Sequence, residues 1–169
     1  MKAWTMSDFA NDLDAVSSGR NFENGRQAFA DVQCLACHRF GLEGGGAGPD
    51  LTAVSARFTR RDILESILDP SRVLSEQYQN TTVWLKNGDD HTGRLADETA
   101  DQLVLIPDPL KPESKITVKK SDVTQRAASK LSPMPAELAN TLSKEDILDL
   151  LAFIESAGRR QHAAFQKKK

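Results

Sequence analysis

The sequence predicts a mainly α-helical domain interrupted by a small antiparallel β-sheet or barrel, α+β overall. Apolar residues recur at helical spacing near both ends, in "NFENGRQAFADVQC" and "TLSKEDILDLLAFIESA". Between them, residues 79–127 turn to short β-branched runs separated by turn residues, with Asn87-Gly88 as a hairpin signal. The resulting order is helix, glycine-rich loop, helix, β insertion, proline-flanked loop and helix, with no internal repeat. This order divides the chain into an N-terminal extension at 1–18, a helical domain from 19–78 and 128–160, an inserted β subdomain at 79–127, and a basic tail at 161–169.

In the first helix Phe22, Ala28, Phe29 and Val32 fall near one face, and the helix is expected to run into the cysteines. Residues 39–53 include "GGGAGPD" and read as a loop. Thr59 with Asp62 three positions on marks a helix start, Ile63, Ile67 and Leu68 form its stripe, and Pro70 ends it. "NTTVWLKNGDDHTGRLADE", "DQLVLIP", "SKITVKK" and "SDVTQR" supply four or five strands. Ser143 and Asp146 cap the last helix, whose apolar face is Ile147, Leu150, Leu151 and Ile154.

The bulk composition excludes several classes. The 169 residues are 39% hydrophobic and 27% charged, ordinary for a globular protein, but only 6% aromatic. That leaves room for a bound group to supply apolar bulk. A net charge of −2 gives no expectation of nucleic acid or anionic lipid, and "QKKK" at 166–169 reads as a solvated end. No run approaches the roughly 20 apolar residues of a membrane helix. The N-terminus lacks the apolar region of a secretory signal, so the expectation is a mature chain or one domain of a longer polypeptide.

The two cysteines stand in "CLACH" at 34–38. A C-x-x-C pair fits a redox dithiol, half a zinc site, or a haem attachment site. Zinc lacks a second cysteine pair, with only His91 and His162 besides His38. A thioredoxin-like dithiol belongs between a strand and a helix, whereas this pair follows a helix and precedes a glycine loop. C-x-x-C-H is the signature of c-type haem attachment. At this spacing Cys34 and Cys37 can each add to one of two vinyl groups on a porphyrin edge, and His38 can then reach the iron. The expected cofactor is one haem c, held covalently.

A ligating histidine needs an acceptor for its Nδ1–H, and the Pro49 carbonyl in "GPDL" at 48–51 is the candidate. "SPMP" at 132–135 sets Met134 between prolines, a candidate distal ligand whose thioether would favour ferrous iron. The alternative for Met134 is gap-filling in a core. His91 is the rival ligand, and His162 and Met6 lie near the ends.

These residues resemble class I c-type cytochromes through the helix with Gly25 and Phe29, "CLACH", the "GPDL" loop, the methionine loop, and a terminal helix with Phe153. The resemblance implies that the first and last helices cross at Gly25, Phe29 and Phe153, and that His38 and Met134 are the axial ligands. The segments 19–78 and 128–160 would then form the haem-binding domain. More closely, "RNFENGRQAF", "CHRF", "GPDLTAVSARFTRRDILESILDPSRVLSEQY", "SPMP" and "DILDLLAFIES" resemble the haem-binding domain found near the C-terminus of large multidomain bacterial proteins. Trp4 fits the same pattern. The resemblance further implies contacts to the haem from Leu51, Arg57, Ile67 and Tyr78, with Tyr78 and Trp84 flanking the β insertion.

The function expected is single-electron transfer, without enzymatic chemistry, to a redox protein or an adjacent redox domain of a longer polypeptide. The attachment chemistry places it in the periplasm or elsewhere outside the cytoplasm. The alternatives are a haem enzyme or gas sensor with an open distal position, and a β insertion that serves as a binding module.

Overall fold

The structure is a computed structural model that describes residues 1–167. Lys168 and Lys169, the end of the expected basic tail, lie outside the described residues. The chain forms two compact units, one from Met1–Arg72 with the chain from Pro135 onward, the other Val73–Met134. Both helices and a five-stranded antiparallel sheet are present.

The helical unit is built on α1 (Phe22–Asp31), the single turn α2 (Cys34–Cys37), α3 (Arg60–Leu68) and α4 (Lys144–Glu155). Local chemistry starts each long helix. Asn21 accepts from the Asn24 amide at 3.1 Å, and capping boxes form between Thr59 and Asp62 and between Ser143 and Asp146. Each cap is worth about 1 kcal/mol. The Thr59 hydroxyl and amide also hold the Asp62 carboxyl below its ordinary range.

The expected face of α4 is buried, but so are Leu148, Asp149, Ala152 and Phe153. This helix is surrounded rather than one-sided. α1 crosses it at Gly25, where an added Cβ would lie 2.3 Å from the Asp149 carbonyl oxygen. Phe22, Phe29 and Phe40 close around Phe153, each with its ring centroid 5.4 Å from that ring. Asp149 is buried yet satisfied. It accepts from the Asn21 amide at 3.0 Å and from Asn24 Nδ2 at 2.9 Å, with Arg20 Nε 3.5 Å away. Arg60 grips Glu155 through two 2.8 Å bonds and donates to the Leu13 carbonyl at 2.6 Å.

Three readings of local structure change. α1 does not run into the cysteines, because Gln33 takes a left-handed φ of 56° and resets the chain direction before α2. Residues 39–53 are not all loop, since β1 (Arg39–Phe40) and β2 (Glu43–Gly44) pair as a two-residue hairpin. In α3 the fully buried residue is Leu64, with Ile63 beside it, while Ile67 and Leu68 are half-buried.

The second unit holds β3 (Thr81–Leu85), β4 (Asp90–Glu98), β5 (Gln102–Ile106), β6 (Ile116–Lys119) and β7 (Val123–Ala128). Their order is β6-β5-β4-β3-β7. The Asn87-Gly88 turn joins β3 to β4, with Gly88 at φ 93°. β6 and β7 occupy opposite edges, yet only three residues, Lys120–Asp122, separate them. Four flat strand spacings would span about 19 Å, beyond the roughly 14 Å reach of that connection. The sheet must therefore curl. Its inner face is Val83, Leu103, Leu105 and Val118, all buried.

Candidate functional site

The site begins where α1 stops. After Gln33 turns the chain, Cys34 and Cys37 occupy the first and last positions of α2, and neither is in a disulfide. Cys34 packs partly into the helical core, and burial pushes its thiol up to about 12.

His38 follows with extended backbone, its amide bonded to the Cys34 carbonyl at 2.9 Å. Its Nδ1 lies 2.7 Å from the Pro49 carbonyl oxygen. A carbonyl can only accept, so Nδ1 carries the proton, and a neutral ring keeps its lone pair on Nε2. That is the tautomer a metal-ligating histidine needs.

The glycine-rich loop wraps the attachment segment backbone to backbone. Gly45 donates to the Leu35 carbonyl at 2.9 Å, Gly48 to Cys37 at 2.8 Å, and Leu51 to Arg39 at 2.9 Å. An added Cβ on Gly44 would lie 2.0 Å from the His38 carbonyl oxygen, and one on Gly45 2.5 Å from that of Ala36. At Gly48 it would lie 2.7 Å from His38 Cε1 and 2.9 Å from Nδ1. These glycines are thus part of the site. The sequence marks them only as a loop, and the available signal is their density directly after the motif.

The other expected site residues fall in different places. Leu51 and Ile67 are half-buried against the helical core. Arg57 is exposed at the end of the 3₁₀ turn Val54–Ala56. Thr52 hydrogen bonds, with smaller help from the charges of Arg39 and Arg57, hold the Asp50 carboxyl low. Tyr78, Trp84 and Met134 belong to the sheet unit. Tyr78 and Met134 are half-buried, Trp84 is exposed, and the Met134 amide donates to Ser132 Oγ at 3.1 Å. The chain re-enters the helical unit at the next residue, Pro135. His91, the rival ligand, is half-buried on β4 and pairs across to Val83.

The donor set favours a haem over a bare ion. Among the described residues, no three histidine, cysteine or acidic side chains gather where they could hold one metal ion. Cys34 and Cys37 on one turn, next to an imidazole already oriented through Nδ1, instead suit a porphyrin anchored by sulfur and ligated by nitrogen. Also among the described residues, no helix is long and apolar enough to cross a membrane.

Comparison with known proteins agrees with this chemistry. No curated protein matches the chain. The cytochrome c family model matches residues 22–104, which takes in α1, the cysteine pair, His38 and the "GPDL" loop. The match stops 30 positions before Met134 (134 − 104). Over residues 22–104 the chain is similar to cytochrome c, and that likeness supports a cytochrome c-type fold and a c-type haem protein.

Proposed function

We propose that the protein is a single-haem c-type cytochrome that passes electrons one at a time between redox partners. The observation that carries this reading is the 2.7 Å contact between His38 Nδ1 and the Pro49 carbonyl, directly after the cysteine turn. Cys34 and Cys37 would hold the haem as thioethers, and His38 Nε2 would ligate its iron. When bound, the haem supplies an iron that changes oxidation state by one electron. The chain's task is to keep that iron's surroundings unchanged between the two states. Pro49 fixes the imidazole plane, Gly48 lies against the ring, and the loop hydrogen bonds keep both in register.

Met134 is the distal ligand of this proposal. Its neighbours Pro133 and Pro135 restrict the backbone on both sides. Leu51 and Ile67 supply apolar contacts, and Arg57 and Tyr78 supply polar ones. On this reading the chain is a haem-binding domain of the kind found near the C-terminus of large multidomain bacterial proteins, as its sequence resemblance implies. The partner is then a soluble redox protein or a redox domain of the same polypeptide, outside the cytoplasm.

Spectroscopy tests the axial set. The oxidised protein is expected to show the weak red-edge band of sulfur-ligated iron, and Met134→Ala to abolish that band while keeping the haem attached. A high-spin oxidised spectrum in the wild type, unaltered by Met134→Ala, would count against electron transfer and for an open, ligand-binding iron.

A further inference from the structure

The first 18 residues are tied to the stretch that leads from Met134 into α4. Phe9 and Val16 are fully buried in the helical core. The Lys2 amide donates to the Asn140 carbonyl at 3.2 Å, and the Trp4 amide to Asn140 Oδ1 at 3.5 Å. The Trp4 indole Nε1–H donates to the Leu142 carbonyl at 3.0 Å. Trp4 packs on Phe9 with ring centroids 5.5 Å apart, and Asp12 pairs with Lys144 at the start of α4.

That stretch is one that needs holding. Glu137 takes a φ of 68°, a left-handed backbone that a non-glycine residue keeps only where its surroundings impose it. It stands three positions after Met134 (137 − 134) and opens the 3₁₀ turn Leu138–Thr141. The anchors from Lys2 and Trp4 fall on Asn140 and Leu142, inside and just beyond that turn.

We infer that Trp4 is a positioning residue for the distal ligand. By pinning Leu142 it keeps the strained turn at Glu137 closed, and the closed turn restrains the backbone that follows Met134 in the chain. This rests on the proposed ligand role of Met134. Phenylalanine at position 4 would keep the ring against Phe9 but leave the Leu142 carbonyl without its donor. The net worth of one such hydrogen bond corresponds to roughly a two- to tenfold rise in the open fraction of the turn.

An added ligand reads that fraction, because its apparent affinity scales with the population of the competent, open state. The experiment uses the full-length, haem-loaded protein titrated with imidazole, and follows loss of the red-edge band. Trp4→Phe is expected to lower the half-bleaching concentration about fivefold. Amide exchange at Asn140 and Leu142 should rise by a similar factor. Val16→Ala serves as the control, since it removes core volume from the same segment without touching this stretch's hydrogen bonds. At matched denaturation midpoints it should leave both readings at the wild-type value. An unchanged half-bleaching concentration in Trp4→Phe, or an equal fall in Val16→Ala, overturns the inference. A wild type without the band sinks the Met134 reading and this role together, whereas a wild-type band whose half-bleaching concentration Trp4→Phe leaves unchanged sinks this role alone.

Discussion

Gly25→Ala is expected to destabilise the helical unit by roughly 3 kcal/mol, at the upper end of overpacking effects. The reason is what the new methyl would meet. Its Cβ would lie 2.3 Å from the Asp149 carbonyl oxygen and 3.0 Å from Phe153 Cβ. Neither is a flexible side-chain end that could swing aside. α1 would have to lift from α4, loosening the Phe22, Phe29 and Phe40 contacts to Phe153 and the bonds that satisfy buried Asp149. For a unit of this size the midpoint of thermal unfolding should fall by roughly 10 °C or more. Gly46→Ala is the comparison, because a Cβ there meets nothing within 4 Å. It should change stability by less than about 1 kcal/mol. Similar melting curves for the two variants would mean that the helix crossing is not as tight as described.

Gly48→Ala is expected to act on the site rather than on the fold. The added methyl would press on His38 Cε1 and Nδ1, at 2.7 and 2.9 Å. In the chain without haem, the ring can rotate away at the cost of its hydrogen bond to Pro49, about 1 kcal/mol. If His38 Nε2 ligates the haem iron as proposed, the ring would be held through both nitrogens, and the added methyl would cost one of the two bonds. The prediction is therefore asymmetric. Thermal stability of the haem-free chain should shift by only about 1 kcal/mol, whereas the loaded protein should lose its normal low-spin spectrum. Equal, small effects in both forms would mean that His38 does not bear on the iron.

Much of this was written locally in the chain and could be read there. Thr59 with Asp62 and Ser143 with Asp146 announce helix starts because the bonds they make span only three residues. Asn87-Gly88 announces its turn because Gly88 takes a positive φ at no steric cost. "CLACH" and "GPDL" could be paired because the His38 imidazole and the Pro49 carbonyl lie only 11 positions apart and meet at 2.7 Å. What escaped was decided by distant partners. The break at Gln33 has no local breaker residue to mark it, only a left-handed φ that the sequence does not signal. Phe9 and Val16 sit in short 3₁₀ turns with no apolar period to betray that they are core. Asp149 looks like a solvated helix residue until Asn21 and Asn24 are found beside it. The place of β7 on the free edge of β3 depends on a sheet that curls, and no strand's own pattern encodes that curl.

The measurement that bears most directly on all of this is the intact mass of protein matured in a host able to attach haem, taken after acid extraction of loosely bound porphyrin. The account predicts the chain mass plus one haem, retained through extraction, and lost when Cys34 and Cys37 are both replaced by alanine. A chain recovered at its bare polypeptide mass, with both thiols still titratable, would contradict it.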